Sequence, residues 1–132
     1  MADACEIHGE VFKNGSATLL ARVVGADGSP LVRAGIASAR YTVCLLDDDD
    51  PDAAAAVAGH TALAISVASL IYDTLQKDDL WDVDAAGYNF KHVLDVSAQQ
   101  AFAVAGRNYR VTFELTPVSG QTILVRFRLH AM

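Results

Sequence analysis

The residues best equipped for chemistry sit in "DLWDVDAAGYNF", residues 79–90, which gathers three aspartates, the only tryptophan, a tyrosine, an asparagine and a phenylalanine. Asp82, Asp84 and Gly87 fall at the first, third and sixth places of a calcium-binding loop. Ala86 at the fifth place offers no side-chain oxygen, and Val93 stands where the bidentate glutamate would close the shell. The full loop pattern therefore fails. Two readings remain for the segment: an open oxygen cage using Asp79, Asp82 and Asp84, or an aromatic clamp in which Trp81, Tyr88 and Phe90 pin a turn to the body of the protein. Aspartates favour turns and large aromatics bury wide areas, so the clamp is preferred and no metal is expected.

A second acidic stretch, "LLDDDDPDAA", holds five aspartates between Asp47 and Asp52. The net charge is −6, and without those five it is −1. The C-terminal third carries Arg107, Arg110, Arg126, Arg128 and His130, so charge is unevenly placed along the chain. Such asymmetry can steer a partner or another copy of the chain. Arg126 and Arg128 on one side, and Asp48, Asp49 and Asp50 on the other, are the candidate partner-binding residues. The histidines, His8, His60, His92 and His130, lack partners at three or four residues' distance. No nucleophile sits beside a base, and no phosphate- or dinucleotide-binding glycine pattern occurs. The chain is expected not to be an enzyme and to need no cofactor. Cys5 and Cys44 have neither metal spacing nor a secretory context, so a disulfide is not expected.

The elements that must position these residues read mainly as strands. "SATLLARVVG" (16–25) is short, apolar and stopped by "GADGSP", in which Gly28 can take positive φ. "AGIASARYTVCLLD" alternates, with Tyr41, Val43 and Leu45 on one face and Arg40, Thr42 and Cys44 on the other. "PDAAAAVAGH" reads as a loop or one helical turn. "TALAISVASLIYDTLQKDD" begins as a strand and passes into a helical spacing capped by Ser66 or Ser69. The last 27 residues form a hairpin: Tyr109, Val111, Phe113 and Leu115 alternate with Arg110, Thr112 and Glu114. After "TPVSGQ", Ile123, Val125, Phe127 and Leu129 alternate with Leu124, Arg126, Arg128 and His130. Because aromatics and arginines fall on opposite faces, they cannot form one base-stacking surface, and nucleic acid is not expected.

At 132 residues, with 52% hydrophobic and 20% charged residues, the chain is read as one globular domain, 1–132. The expected fold is mainly β: a single antiparallel β-sandwich with one short helix around residues 68–77. No apolar run approaches the roughly 20 residues that span a bilayer. The N-terminus lacks the pattern of a secretory signal.

"GRNYRVTF" resembles the tyrosine corner of immunoglobulin-like sandwiches. "VVGADGSPLVRAGI" resembles the strand–turn–strand opening of prealbumin-like repeats. The C-terminal half, from "IYDTLQKDDLWDVDAAGYNF" through "YRVTFELTPVSGQTILVRF", resembles small proteins of phage-like gene clusters. That resemblance implies a virion component, either a capsid decoration or a tail accessory, acting through protein–protein contacts as a homo-oligomer or larger assembly. Its location would be the virion or the cytoplasm of the producing cell. The alternative is a carbohydrate-binding sandwich using Trp81 and Tyr88 as a stacking surface, which requires both rings to be exposed.

Overall fold

The computed structural model describes residues 6–24, 28–46, 54–57, 59–78, 81, 86–94, 96 and 100–132. Nine strands occur among them: β1 (Glu6–Val11), β2 (Thr18–Ala21), β3 (Ile36–Leu46), β4 (Ala54–Ala56), β5 (Leu63–Ile65), β6 (Ile71–Gln76), β7 (Tyr88–Val93), β8 (Asn108–Pro117) and β9 (Ile123–Ala131). A 3-10 turn at Arg33–Gly35 and one helical turn, α1 (Val67–Leu70), complete the regular structure.

The strands make two sheets. One runs β1-β9-β8-β3-β4, with β5 also on β3, and the other runs β2-β7-β6. The second, third and fourth strands of the larger sheet are the G-F-C order of an immunoglobulin-like sandwich, and the smaller sheet is its B-E-D. The pairing is antiparallel except at one place: β1 lies parallel to β9, with Ile7 beside Phe127. That edge is the one parallel pairing among the described strands of the expected antiparallel sandwich. A parallel partner needs a long connection, and β1 and β9 are the first and last strands of the chain.

The hairpin follows its alternation closely. Tyr109, Val111, Phe113 and Leu115 are all buried, as are Val125, Phe127, Leu129 and Ala131. Across from them β7 contributes Phe90, edge-on to Phe113 with ring centroids 4.8 Å apart and stacked on Phe127 at 5.9 Å. Each such pair adds about 0.5–1.5 kcal/mol beyond burial alone. Leu19 and Ala21 of β2, Ile71 of β6, and Ala39, Tyr41 and Val43 of β3 close the same core.

Two segments differ from the sequence reading. The helix spans Val67–Leu70 rather than residues 68–77, and Ile71–Gln76 is strand. Ser66 does occupy the N-cap position but makes no side-chain cap bond, and one turn is too short to persist without tertiary contacts. Ile71 ends it because its burial against the opposite sheet is worth more than helical spacing. Ala54–Ala56 is not a helical turn but a short edge strand on β3, pairing Cys44 with Ala56 and Leu46 with Ala54. Alanine's helix propensity loses here to the unpaired backbone of β3, which a neighbouring strand can satisfy.

The turn "GADGSP" is closed as its residues suggest. Val24 and Pro30 form an antiparallel bridge, the Leu31 N–H donates to the Val23 carbonyl at 3.0 Å, and Gly28 has φ 83°. Tyr109 makes the corner expected of it: its hydroxyl accepts the Val104 N–H at 3.0 Å, and its ring meets Phe102 edge-on at 5.3 Å.

Candidate functional site

The antiparallel order sends the aromatic loop and the arginine-rich strand to different places. β2 ends, β3 begins, β6 ends, β7 begins, β8 ends and β9 begins at one end of the sandwich. Trp81 and Tyr88 are at that end, and so are the exposed valines Val24, Val32 and Val118. The Arg110–Arg128 row lies toward the other end, where β3 finishes at Leu46.

The clamp holds in part. Trp81 is half-buried and rests on Tyr88 with ring centroids 5.7 Å apart. Tyr72 of β6, which the sequence reading passed over, meets Tyr88 edge-on at 5.8 Å. Phe90 is not with them; it belongs to the core between the sheets. The Tyr88 hydroxyl donates to Asp78 Oδ2 at 2.8 Å. Burial, then that hydrogen bond and the carboxylate's charge, and last the Tyr72 phenol push the Tyr88 phenol up to about 12. Tyr88 is only 2% exposed, so its ring offers no face to a sugar, and Trp81 would be alone as a stacking surface.

Gly87 explains the loop's tight return to the sheet. Its φ is 105°, and a Cβ there would stand 2.4 Å from the Gln76 carbonyl oxygen. Asn89 is fully buried and bonds the 23–31 turn rather than its own loop. Asp79, Asp82 and Asp84, the cage alternative, lie outside the described residues. Among the described residues no group of three or more His, Cys, Asp or Glu is placed to hold a metal.

Arg126 and Arg128 stand on the outer face of the larger sheet, as period-two alternation requires. Arg128 is directly opposite Arg110, and Arg126 is opposite Thr112. On the next strand Cys44 faces Arg110 and Thr42 faces Thr112. Cys44 is a free, half-buried thiol, while Cys5 lies outside the described residues. One row further, Arg40 gives both Nε and Nη2 to Glu114 Oε2, at 3.0 and 2.7 Å. Being exposed, that ion pair contributes at most about 1 kcal/mol. Among the described residues no carboxylate comes within ion-pair distance of Arg126 or Arg128. Asp48, Asp49 and Asp50 lie outside the described residues, but their run begins directly after Leu46, whose carbonyl accepts from Arg107 Nη2 at 2.8 Å. Leu46, the last residue of β3, thus lies toward the same end of the sheet as the arginine row.

A third grouping was not legible in the sequence. His60, 2% exposed, shares a 2.8 Å hydrogen bond with the Tyr41 hydroxyl through Nδ1. His92 of β7 lies against Tyr41 at 5.0 Å and edge-on to Phe113 at 5.3 Å. Burial pushes the His92 imidazole below the usual histidine range. His92 is here part of the contact between sheets, because β7 alternation sends it the same way as Phe90.

An open hollow of about 380 Å³ runs between β1 and β2, lined by Ile7, Val11, Phe12, Leu19, Phe127 and Leu129 among others. Glu10, Ser16 and Thr18 add polar side chains to this lining. No helix among the described residues is long and apolar enough to cross a membrane. Compared with protein-family models, with curated proteins and with solved structures, the chain matches none.

Proposed function

We propose that this chain is a non-enzymatic structural protein that assembles with protein partners through the outer face of β9, β8 and β3. The observation that carries this reading is the placement of Arg126 and Arg128 on the outer face of β9, with no described carboxylate within ion-pair distance of either, in a chain whose net charge is −6. Two guanidinium groups on one outer face without a described carboxylate to neutralise them leave positive charge there for a partner. Carboxylates are the matching chemistry, and guanidinium groups take them in paired hydrogen bonds. Another copy of the chain supplies them in abundance, which makes a homo-oligomer or larger assembly the simplest arrangement. The resemblance to proteins of phage-like gene clusters gives the proposed setting, a capsid decoration or tail accessory of a virion.

The test is the mass of the purified protein by light scattering after size exclusion, at low and high salt, for the wild type and for the Arg126→Glu, Arg128→Glu double variant. A defined assembly that shrinks at high salt and in the double variant, with the variant's melting temperature unchanged, supports the reading. A wild type that is monomeric at every salt concentration overturns it. So does a double variant whose assembly keeps its size.

A further inference from the structure

We propose that His92, wedged between Tyr41 and Phe113, makes the contact between the two sheets an acid-sensitive seam that loosens as the pH falls below neutrality. The inference is independent of the outer arginine face. It rests on where four strands and one loop bring their side chains.

His92 belongs to β7 of the smaller sheet, whereas Tyr41 and Phe113 belong to β3 and β8 of the larger one. The imidazole therefore bridges the sheets. Its ring centroid is 5.0 Å from that of Tyr41 and 5.3 Å from that of Phe113. Tyr41 and Phe113 are themselves register partners whose rings are 5.7 Å apart. The His92 Nε2 atom is sealed from solvent and has no hydrogen-bond partner among the described residues. A neutral imidazole can leave one nitrogen as a bare acceptor at modest cost. A protonated one has two N–H donors and a charge, and here the Nε2 donor would have no acceptor among the described residues.

Among the described residues the surroundings offer little to offset that charge. Tyr41 faces His92 from β3, and His60, bonded to the Tyr41 hydroxyl, is the second titratable group at the seam, from the loop between β4 and β5. From β8 comes Phe113, and the register neighbour on β2 is the buried Leu19. No described carboxylate faces the ring: Glu114 neighbours Phe113 but turns outward to Arg40. Lys91, beside His92 on β7, points to the other side of its sheet by strand alternation.

The direction of the pH effect follows. The unfolded chain takes up the proton in the ordinary histidine range, and the folded chain only at lower pH, because burial holds the His92 imidazole below that range. Stability is then complete above the ordinary value and declines as the pH drops below it. The element released is β7, together with the β2 and β6 strands that it joins. In a protein that assembles, such a seam would tie the shape of the subunit to the acidity of its surroundings.

The experiment is urea denaturation of the full chain between pH 8 and pH 5, for the wild type and His92→Phe, with an NMR titration of the His92 ring. His92→Phe keeps an aromatic ring at the seam and removes the titration. The expected result is a wild-type midpoint that falls below about pH 6.5, a flatter profile for His92→Phe, and a His92 titration below the ordinary range. His130→Ala, an exposed control, should keep the wild-type slope. A His92→Phe profile as steep as the wild type overturns the proposal. If that variant does not fold, the ring titration decides alone: a value at or above the ordinary histidine range overturns it, and a lower value supports it.

Discussion

Asn89 holds Val23 by both of its backbone groups. The Val23 N–H donates to Asn89 Oδ1 at 2.7 Å, and Asn89 Nδ2 donates to the Val23 carbonyl at 2.9 Å. A side-chain amide thus stands in for a strand, continuing the pairing of β2 and β7 two residues beyond Ala21. The same Nδ2 also reaches the Leu31 carbonyl at 3.1 Å. Through one side chain the turn between β2 and β3 is fastened to β7 at the base of the aromatic loop.

Replacing Asn89 by alanine should therefore cost more than an average hydrogen bond. The buried Val23 N–H loses its acceptor, the part-buried Leu31 carbonyl loses a donor, and the Val23 carbonyl keeps only the Leu31 N–H; an orphaned buried group carries about 1–3 kcal/mol. We expect a loss of about 3 kcal/mol by urea denaturation. A change under about 1 kcal/mol would show that water replaces the amide and that the turn is not held by it.

Tyr109→Phe isolates the corner. The ring and its contact with Phe102 remain, while the Val104 N–H loses its acceptor. A destabilisation of about 1–1.5 kcal/mol is expected. The corner joins the 101–107 segment to β8, so amide exchange should rise first at Val104. Uniform exchange across the chain would contradict a local role.

Two glycines with similar φ separate backbone conformation from close contact. Gly87 and Gly106 have φ of 105° and 85°, but only Gly87 would press a Cβ onto a neighbour, the Gln76 carbonyl oxygen. Gly106→Ala should cost about 1 kcal/mol, the usual penalty for a left-handed L-residue. Gly87→Ala should cost clearly more and shift the Tyr88 signals. Equal costs at the two sites would remove the close-approach argument.

Alkaline pH should loosen the Tyr88 corner of the aromatic cluster. With the phenol pushed up to about 12 in the folded protein and near 10 when unfolded, the neutral hydroxyl is favoured by folding. Its contribution is complete below pH 10 and is lost as the pH rises toward 12. Tyr88→Phe should flatten the stability profile in that window and remove a late-ionising phenol from a spectrophotometric titration.

Trp81→Ala tests how much the clamp contributes. A fully buried tryptophan would cost roughly 3–5 kcal/mol on truncation. Trp81 is half-buried and leans on Tyr88 alone among the described rings, so about 1–2 kcal/mol is expected, with β8 and β9 unaffected. A near-neutral result would mark the ring as a free surface group.

How much of this was legible beforehand varies along the chain. The period-two pattern from Tyr109 to Leu129 was enough to define the last hairpin, its buried aromatic face and its outward arginines. Each residue there has a role set by its immediate neighbours in sequence. The pattern could not show that Arg110 faces Arg128, because that pairing depends on the register set by the turn at 118–122. Segments 54–56 and 71–76 were misread for a related reason. Their local preferences are helical or mixed, and the unpaired backbone and apolar surface of neighbouring strands decided the outcome.

The sequence by itself determined that the chain folds as a β-sandwich, which turns close it, and that charge is divided between an acidic run and basic last strands. These depend on alternation, turn chemistry and composition, all of which act within a few residues. Only the tertiary structure decided that Asn89 fastens a turn 66 residues away in the chain, that Tyr72 joins Trp81 and Tyr88, and that His92 lies between Tyr41 and Phe113. The reason is physical: such contacts arise where two sheets or two loops meet, and that meeting follows from the packing of the whole chain.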